Sequence, residues 1–140
     1  MMQESCTIYN KYTDSQGEHW IRTCLEGVYW DGARGAVTRR VGVVGGDSVL
    51  ALIPACVRSD GKGYLPPKVW ERTADKAEYF TIRPGDKMVR GICTEELIDS
   101  SAPLESYDDT ITVTAVNLRR CPGDMAHLEV RGKEYLWSLR

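Results

Sequence analysis

Two histidines, five cysteines and twenty carboxylates are the groups in this 140-residue chain that could do chemistry, and their spacing decides what chemistry is open to them. A zinc or iron site built on imidazole needs both His19 and His127 plus carboxylates brought in by the fold. No HxH or HExxH spacing places two imidazoles on one element. A thiol nucleophile needs a base beside it, which here means His19 with Cys24 or Cys93 with His127. Neither pair sits in a local cysteine or G-x-S-x-G signature, and a buried cysteine serving as a small hydrophobe explains the same residues. Gly42–Ser48 (GVVGGDS) has the glycines of a phosphate loop but not its Gly-Lys-Ser/Thr ending, and it joins two strand-like runs, so it reads as a hairpin. Glu95-Glu96 with Asp99, and Asp108-Asp109, could do acid–base work if buried. They lie in polar sequence without apolar flanks, which reads as a solvated loop.

The arginines are the remaining charged feature. Arg34, Arg39, Arg40, Arg119 and Arg120 include two dipeptides in or just after predicted strands. On one rim they would form a positive patch for DNA or an acidic partner. Scattered along strand edges they would block unwanted pairing. The aromatics, among them Trp20, Tyr29, Trp30, Tyr64, Trp70, Tyr79, Tyr135 and Trp137, are either contact anchors or the core of a chain with a single phenylalanine. From these groups the expectation is no enzyme, no cofactor and no metal.

Composition bounds the class. The chain is 42% hydrophobic and 27% charged with net charge −2, which suits one globular domain and not a general nucleic-acid binder. The odd cysteine count without CxxC points to free thiols and a reducing compartment. The polar N-terminus has no apolar signal region, and the longest apolar run, Val49–Val57, is too short for a membrane helix.

The elements that would position these residues are mostly strands. Residues 1–18 read as an extended arm with a turn at Asp14–Gly17, followed by one domain over 19–140. Strands are expected at Trp20–Trp30, Ala36–Val44, Ser48–Val57, Tyr79–Ile82, Lys87–Ile92, Thr110–Leu118, His127–Arg131 and Glu134–Leu139. Pro54 in the third of these implies an open edge or a bulge. In Thr110–Leu118, Ile111, Val113 and Ala115 share one face. Pro66-Pro67 opens a short helix at about 67–78. Pro84-Gly85-Asp86 has type II turn chemistry, Gly132-Lys133 reads as a turn, and 93–109 reads as a long loop. The fold class is mainly β: a small antiparallel β-barrel or sandwich with one short helix.

The segment YFTIRPGDKMVRGICTEEL (79–97) carries an aromatic pair, Thr, a hydrophobe, Gly85-Asp86 and a strand ending Arg-Gly. With YLPPKVW before it, and TIYNKY leading into a tryptophan-rich strand, it resembles small neck proteins of tailed phages and prophages of Gram-positive bacteria. The resemblance extends over about residues 7–131. It implies a head-closure (connector) subunit, a β-barrel forming a homo-oligomeric ring between the portal or adaptor and the tail. The partners implied are portal, adaptor and tail proteins of the same phage, with packaged DNA passing close by. The location implied is the virion, assembled in the bacterial cytoplasm, with no membrane. Slight acidity suits a channel through which DNA slides. A tail-completion protein is the alternative within that setting. A small β-barrel ligand-binding module or enzyme is the alternative of another class.

Overall fold

The computed structural model describes residues 3–31, 48–98, 100–107, 109–119 and 126–134. Six strands form one antiparallel sheet: β1 (Gln3–Asp14), β2 (Gly17–Asp31), β3 (Ser48–Pro54), β6 (Lys87–Arg90), β7 (Thr110–Arg119) and β8 (His127–Glu134). They pair in the order β1-β2-β3-β8-β7-β6, and β6 pairs back to β1 through Cys6–Arg90 to Tyr9–Lys87, so the sheet closes as a barrel. Two short strands, β4 (Gly63–Tyr64) and β5 (Tyr79–Phe80), pair in parallel outside this cycle. Between them lie a helix, α1 (Pro67–Arg72), and a 3-10 turn at Lys76–Glu78.

Every barrel strand sends side chains into one interior cluster. It contains Cys6 and Ile8, Leu25, Val28 and Trp30, Val49, Ala51 and Ile53, Met88, Ile111 and Val113, and Leu128 and Val130. Phe80, the last residue of β5, and Ile82 just beyond it join the cluster. Strict alternation would misplace some of these residues, and two bulges correct it. Between Glu4 and Ser5 the register with β2 skips Gly27, whose φ of +101° needs glycine. Leu25 and Val28, three apart, are therefore both buried. The register of β7 with β8 skips Thr114, so Val116 rather than Ala115 packs against the interior beyond Val113.

The expected fold class is present, with corrections in its parts. Residues 3–14 are not an arm. Gln3–Asp14 is a wall strand paired on both sides, and Cys6–Asn10 are buried. A tight turn between Asp14 and Gly17 joins it to β2, as the residues there imply. The helix stops at Arg72, because Thr73 is extended and the chain re-forms only one 3-10 turn. Pro54 sits at the last position of β3, opposite His127 where ladder pairing stops, and so needs no open edge. Gly132 is not a turn residue: it lies within β8, opposite Val49 and Val113. A Cβ there would stand 2.4 Å from Ile111 Cδ1 and 3.0 Å from the Thr112 carbonyl, so a larger residue must displace its neighbours on β7. The strand expected at Ala36–Val44 lies outside the described residues, and Glu134–Leu139 does so beyond Glu134.

Candidate functional site

The residues singled out for chemistry are dispersed. His19 stands at the β1–β2 tip, stacked on Tyr12 at 4.8 Å, with Nε2 2.8 Å from Asp14 Oδ1. His127 begins β8, 3.4 Å from Glu129. Cys24 and Cys93 are buried, and Cys56, expected inside a strand, is exposed at the turn after β3. Among the described residues no three His, Cys, Asp or Glu side chains form a metal-binding group, and no helix is long and apolar enough to cross a membrane. Glu95 accepts from the Tyr107 hydroxyl (3.1 Å), and Glu96 pairs with Arg22 (2.9 Å). Arg34, Arg39, Arg40 and Arg120 lie outside the described residues, as do Asp99, Asp108 and residues 42–47. Arg119 ends β7, about half exposed, and pairs with Glu129 at 3.2 Å.

Three arrangements do emerge, the first two of them where β6 pairs back to β1. The first is the Pro84–Asp86 turn. Pro84 and Gly85 take the two central positions, Gly85 at φ +97°, and the Asp86 amide donates to the Arg83 carbonyl (3.0 Å). The Asp86 carboxylate is buried and accepts from Asn10 Nδ2 (2.8 Å), the Lys11 amide (3.1 Å) and the Arg83 amide (3.0 Å). Asn10 also bridges to the backbone of Thr81. This network ties the turn to β1 at the point where β1 runs past the end of β6. Burial pushes the Asp86 carboxyl above its ordinary value, against these donors and the Arg83 charge. Arg83 pairs with Glu71 (3.0 Å) and stacks 4.8 Å from the Trp70 ring, which fixes α1 to the same turn.

The second is a wall loop. After β6 the described residues of 91–107 lie against the outside of the barrel. Tyr9 of β1 and Val89 of β6 point outward, and there they bury Cys93, Leu97 and Leu104, with Trp20 and Tyr107 at the margin. Polar ties reinforce the packing. Thr7 Oγ1 donates to the Gly91 carbonyl (2.9 Å) and accepts from the Cys93 amide (2.8 Å). The Tyr9 hydroxyl donates to the Glu95 carbonyl (2.7 Å), and burial pushes its pKa up. The loop expected at 93–109 is thus ordered by apolar residues that look isolated in sequence. Its outer surface presents Ile92 (55% exposed) and Ile98 (74%) to solvent.

The third is an apolar cleft of about 310 Å³ formed by β3, β7 and β8 with the segment before α1. Ile53, Phe80 and Leu128 form part of its lining, and Tyr64 and Leu118 stand exposed at its lip. Lys62 and His127 supply polar groups. Lys62 donates to the Arg22 carbonyl and to Thr23 Oγ1, both at 2.9 Å, and burial lowers its pKa.

Sequence reading missed the wall loop and the cleft. Leu97 and Leu104 stand in polar sequence that shows no strand alternation, and nothing local brings Tyr64 beside Leu118. Cys6 and Ile8 on either side of Thr7 are the alternation in the sequence that matches β1's place in the barrel.

No curated protein and no solved structure matches this chain. One family does, described as a family of unknown function (DUF6751), and its match covers residues 1–133. The chain therefore belongs to that family of unknown function.

Proposed function

We propose that this protein is a phage virion structural protein, a head-closure or connector subunit that assembles as a ring between portal or adaptor and tail and acts by contact. The observation that carries the reading is the wall loop. A ring subunit needs a rigid body with a surface held in one conformation, and the 91–107 segment presents such a surface. A buried cluster of Tyr9, Val89, Cys93, Leu97 and Leu104 fixes it, while Ile92 and Ile98 face solvent. The resemblance to phage neck proteins is most specific at Gly85-Asp86 and the strand that follows, which hold the buried carboxylate and lead into this loop. Both features are structural investments in holding a surface still. A tail-completion role would use the same body in another position.

The test is location. Tailed particles produced by a host carrying this gene should contain the chain in multiple copies, detected by mass spectrometry. A reconstruction should place a ring of six-stranded barrels at the neck. Purified particles without the chain would overturn the proposal, and density at the tail tip or tube would select the tail-side alternative.

A further inference from the structure

We infer that the cleft at the ends of β3, β7 and β8 is a binding site for a small monocarboxylate with an apolar body, its carboxylate held by the Lys62 ammonium. The cleft is a mouth of the barrel. It lies where the β3–β8 and β7–β8 ladders stop, at Pro54 opposite His127 and at Arg119 opposite His127. Ile53, Phe80 and Leu128 line it and also belong to the interior cluster, so it opens onto the core and not onto the outer wall. Tyr64 and Phe80 meet edge to face in this lining, 5.6 Å between ring centroids. Its volume of about 310 Å³ stands at the small end of the range for small-molecule sites, about 300–1,000 Å³, and barrel mouths are a preferred place for such sites.

The charge in this lining is held in place by the wall. β2 runs past the end of β3, and residues 58–62 stand where a neighbouring strand would. Glu26 and Arg58 exchange backbone hydrogen bonds of 2.8 and 3.0 Å, Asp60 Oδ2 accepts from the Cys24 amide (3.0 Å), and Lys62 Nζ donates to the Arg22 carbonyl (2.9 Å). The same ammonium donates to Thr23 Oγ1 at 2.9 Å. Thr23 is wholly buried and sits opposite Ile8 in the ladder, so its side chain shares the interior face with that core residue. The Lys62 backbone is anchored too: its amide donates to the Ser59 carbonyl (2.9 Å), and its carbonyl accepts from the Ser59 hydroxyl (2.6 Å). An ammonium has three protons to give, and both of its bonded acceptors are neutral. Among the described residues the lining holds Lys62 and His127 and no Asp or Glu. His127 lies 3.4 Å from Glu129, and Asp60 offsets part of the Lys62 charge from the Cys24 side. Burial nevertheless lowers the Lys62 pKa, the mark of a cation short of counter-charge. A carboxylate supplies that charge through a charge-assisted hydrogen bond, while an apolar body covers Ile53, Phe80 and Leu128.

The experiment titrates the full chain with octanoate and with 1-octanol, which has the same apolar chain without the charge, and follows each by isothermal titration calorimetry. Wild type is expected to bind one octanoate per chain, at least tenfold more tightly than 1-octanol. Lys62→Met keeps the apolar stem and removes the charge, so it should bind the acid and the alcohol alike. Leu118→Asp sets a carboxylate at the lip. It should weaken octanoate at least tenfold with an unchanged melting temperature, because Leu118 is 48% exposed. Three outcomes overturn the inference: wild type that takes up no octanoate at millimolar concentration or prefers it no more than the alcohol, Lys62→Met that keeps the preference for the acid, or Leu118→Asp that binds octanoate as wild type does. Should Lys62→Met fail to fold, the acid–alcohol comparison and Leu118→Asp decide by themselves. Particle composition decides the virion reading whichever result is obtained, so the two stand or fall separately.

Discussion

Asp86 accepts hydrogen bonds from a side-chain amide and two backbone amides, and lies 3.4 Å from an arginine nitrogen, while almost wholly buried. Removing it takes the acceptor from two backbone amides and one hydrogen bond from Asn10 at once. Asp86→Ala should therefore cost about 2–4 kcal/mol in urea unfolding, the range expected when buried donors lose their acceptor. A loss under 1 kcal/mol would mean that water replaces the carboxylate. Glu4 behaves differently. The Arg90 guanidinium bonds it at 2.6 Å and holds its carboxyl below the ordinary 4.5. Its unfolded form takes up a proton first, so the pair's contribution is present above about pH 4.5 and is lost as pH falls through the lower folded value. The pair is partly exposed, so the effect stays within about 1 kcal/mol. Glu4→Gln should shallow the fall in stability below pH 4.5, measured by denaturation across that range.

Between single residues and the whole barrel stand the bulges, the tight β7–β8 contact and the wall loop. Gly132→Ala would press a methyl into Ile111 and toward the Thr112 carbonyl. It should destabilise by about 1–3 kcal/mol, as overpacking does. Ile111→Val removes the nearest atom, so in the double variant the penalty should be smaller than the sum of the singles. Additive losses would place the clash on the backbone alone. Leu104→Ala should loosen the wall loop before the barrel. Leu104 is wholly buried beneath that loop, and such truncations cost about 2–5 kcal/mol. Amide exchange should accelerate across 91–107 while β7 and β8 stay protected. Of these features the Pro84–Asp86 turn was legible in the sequence, because Pro-Gly chemistry is local. The wall loop was not, because Leu97 and Leu104 pack with Val89 and Cys93 over Tyr9, on a strand more than 80 residues away in the chain.

At the scale of the molecule, β1 closes the sheet. It pairs with β2 through twelve register positions and with β6 through four, and it carries Cys6 and Ile8 into the core. Residues 1–18, expected from their polarity to be an arm, are therefore mostly wall. A chain lacking residues 1–14 should fail to fold, giving no cooperative thermal transition and no barrel-like circular dichroism. A truncated chain that melts like wild type would show that β2 and β6 can meet without β1. The polarity misled for a physical reason. Thr7 and Asn10 are buried because distant backbone and side-chain groups satisfy them, namely Gly91, Cys93, Thr81 and Asp86.

The sequence by itself determined the class of this protein: mainly β, one short helix, the tight turns at Asp14–Gly17 and Pro84–Asp86, and most of the strand centres. These follow from local propensity and alternation, which act over a few residues. Only the tertiary structure decided that the sheet closes on itself, that β1 is wall, that Val116 and not Ala115 turns inward, and that a polar loop is pinned to the outside of the barrel. Each of those depends on pairings between segments far apart in the chain. The groups that first looked able to do chemistry were placed by the same pairings, His19 and His127 on separate elements, Cys24 and Cys93 in buried packing.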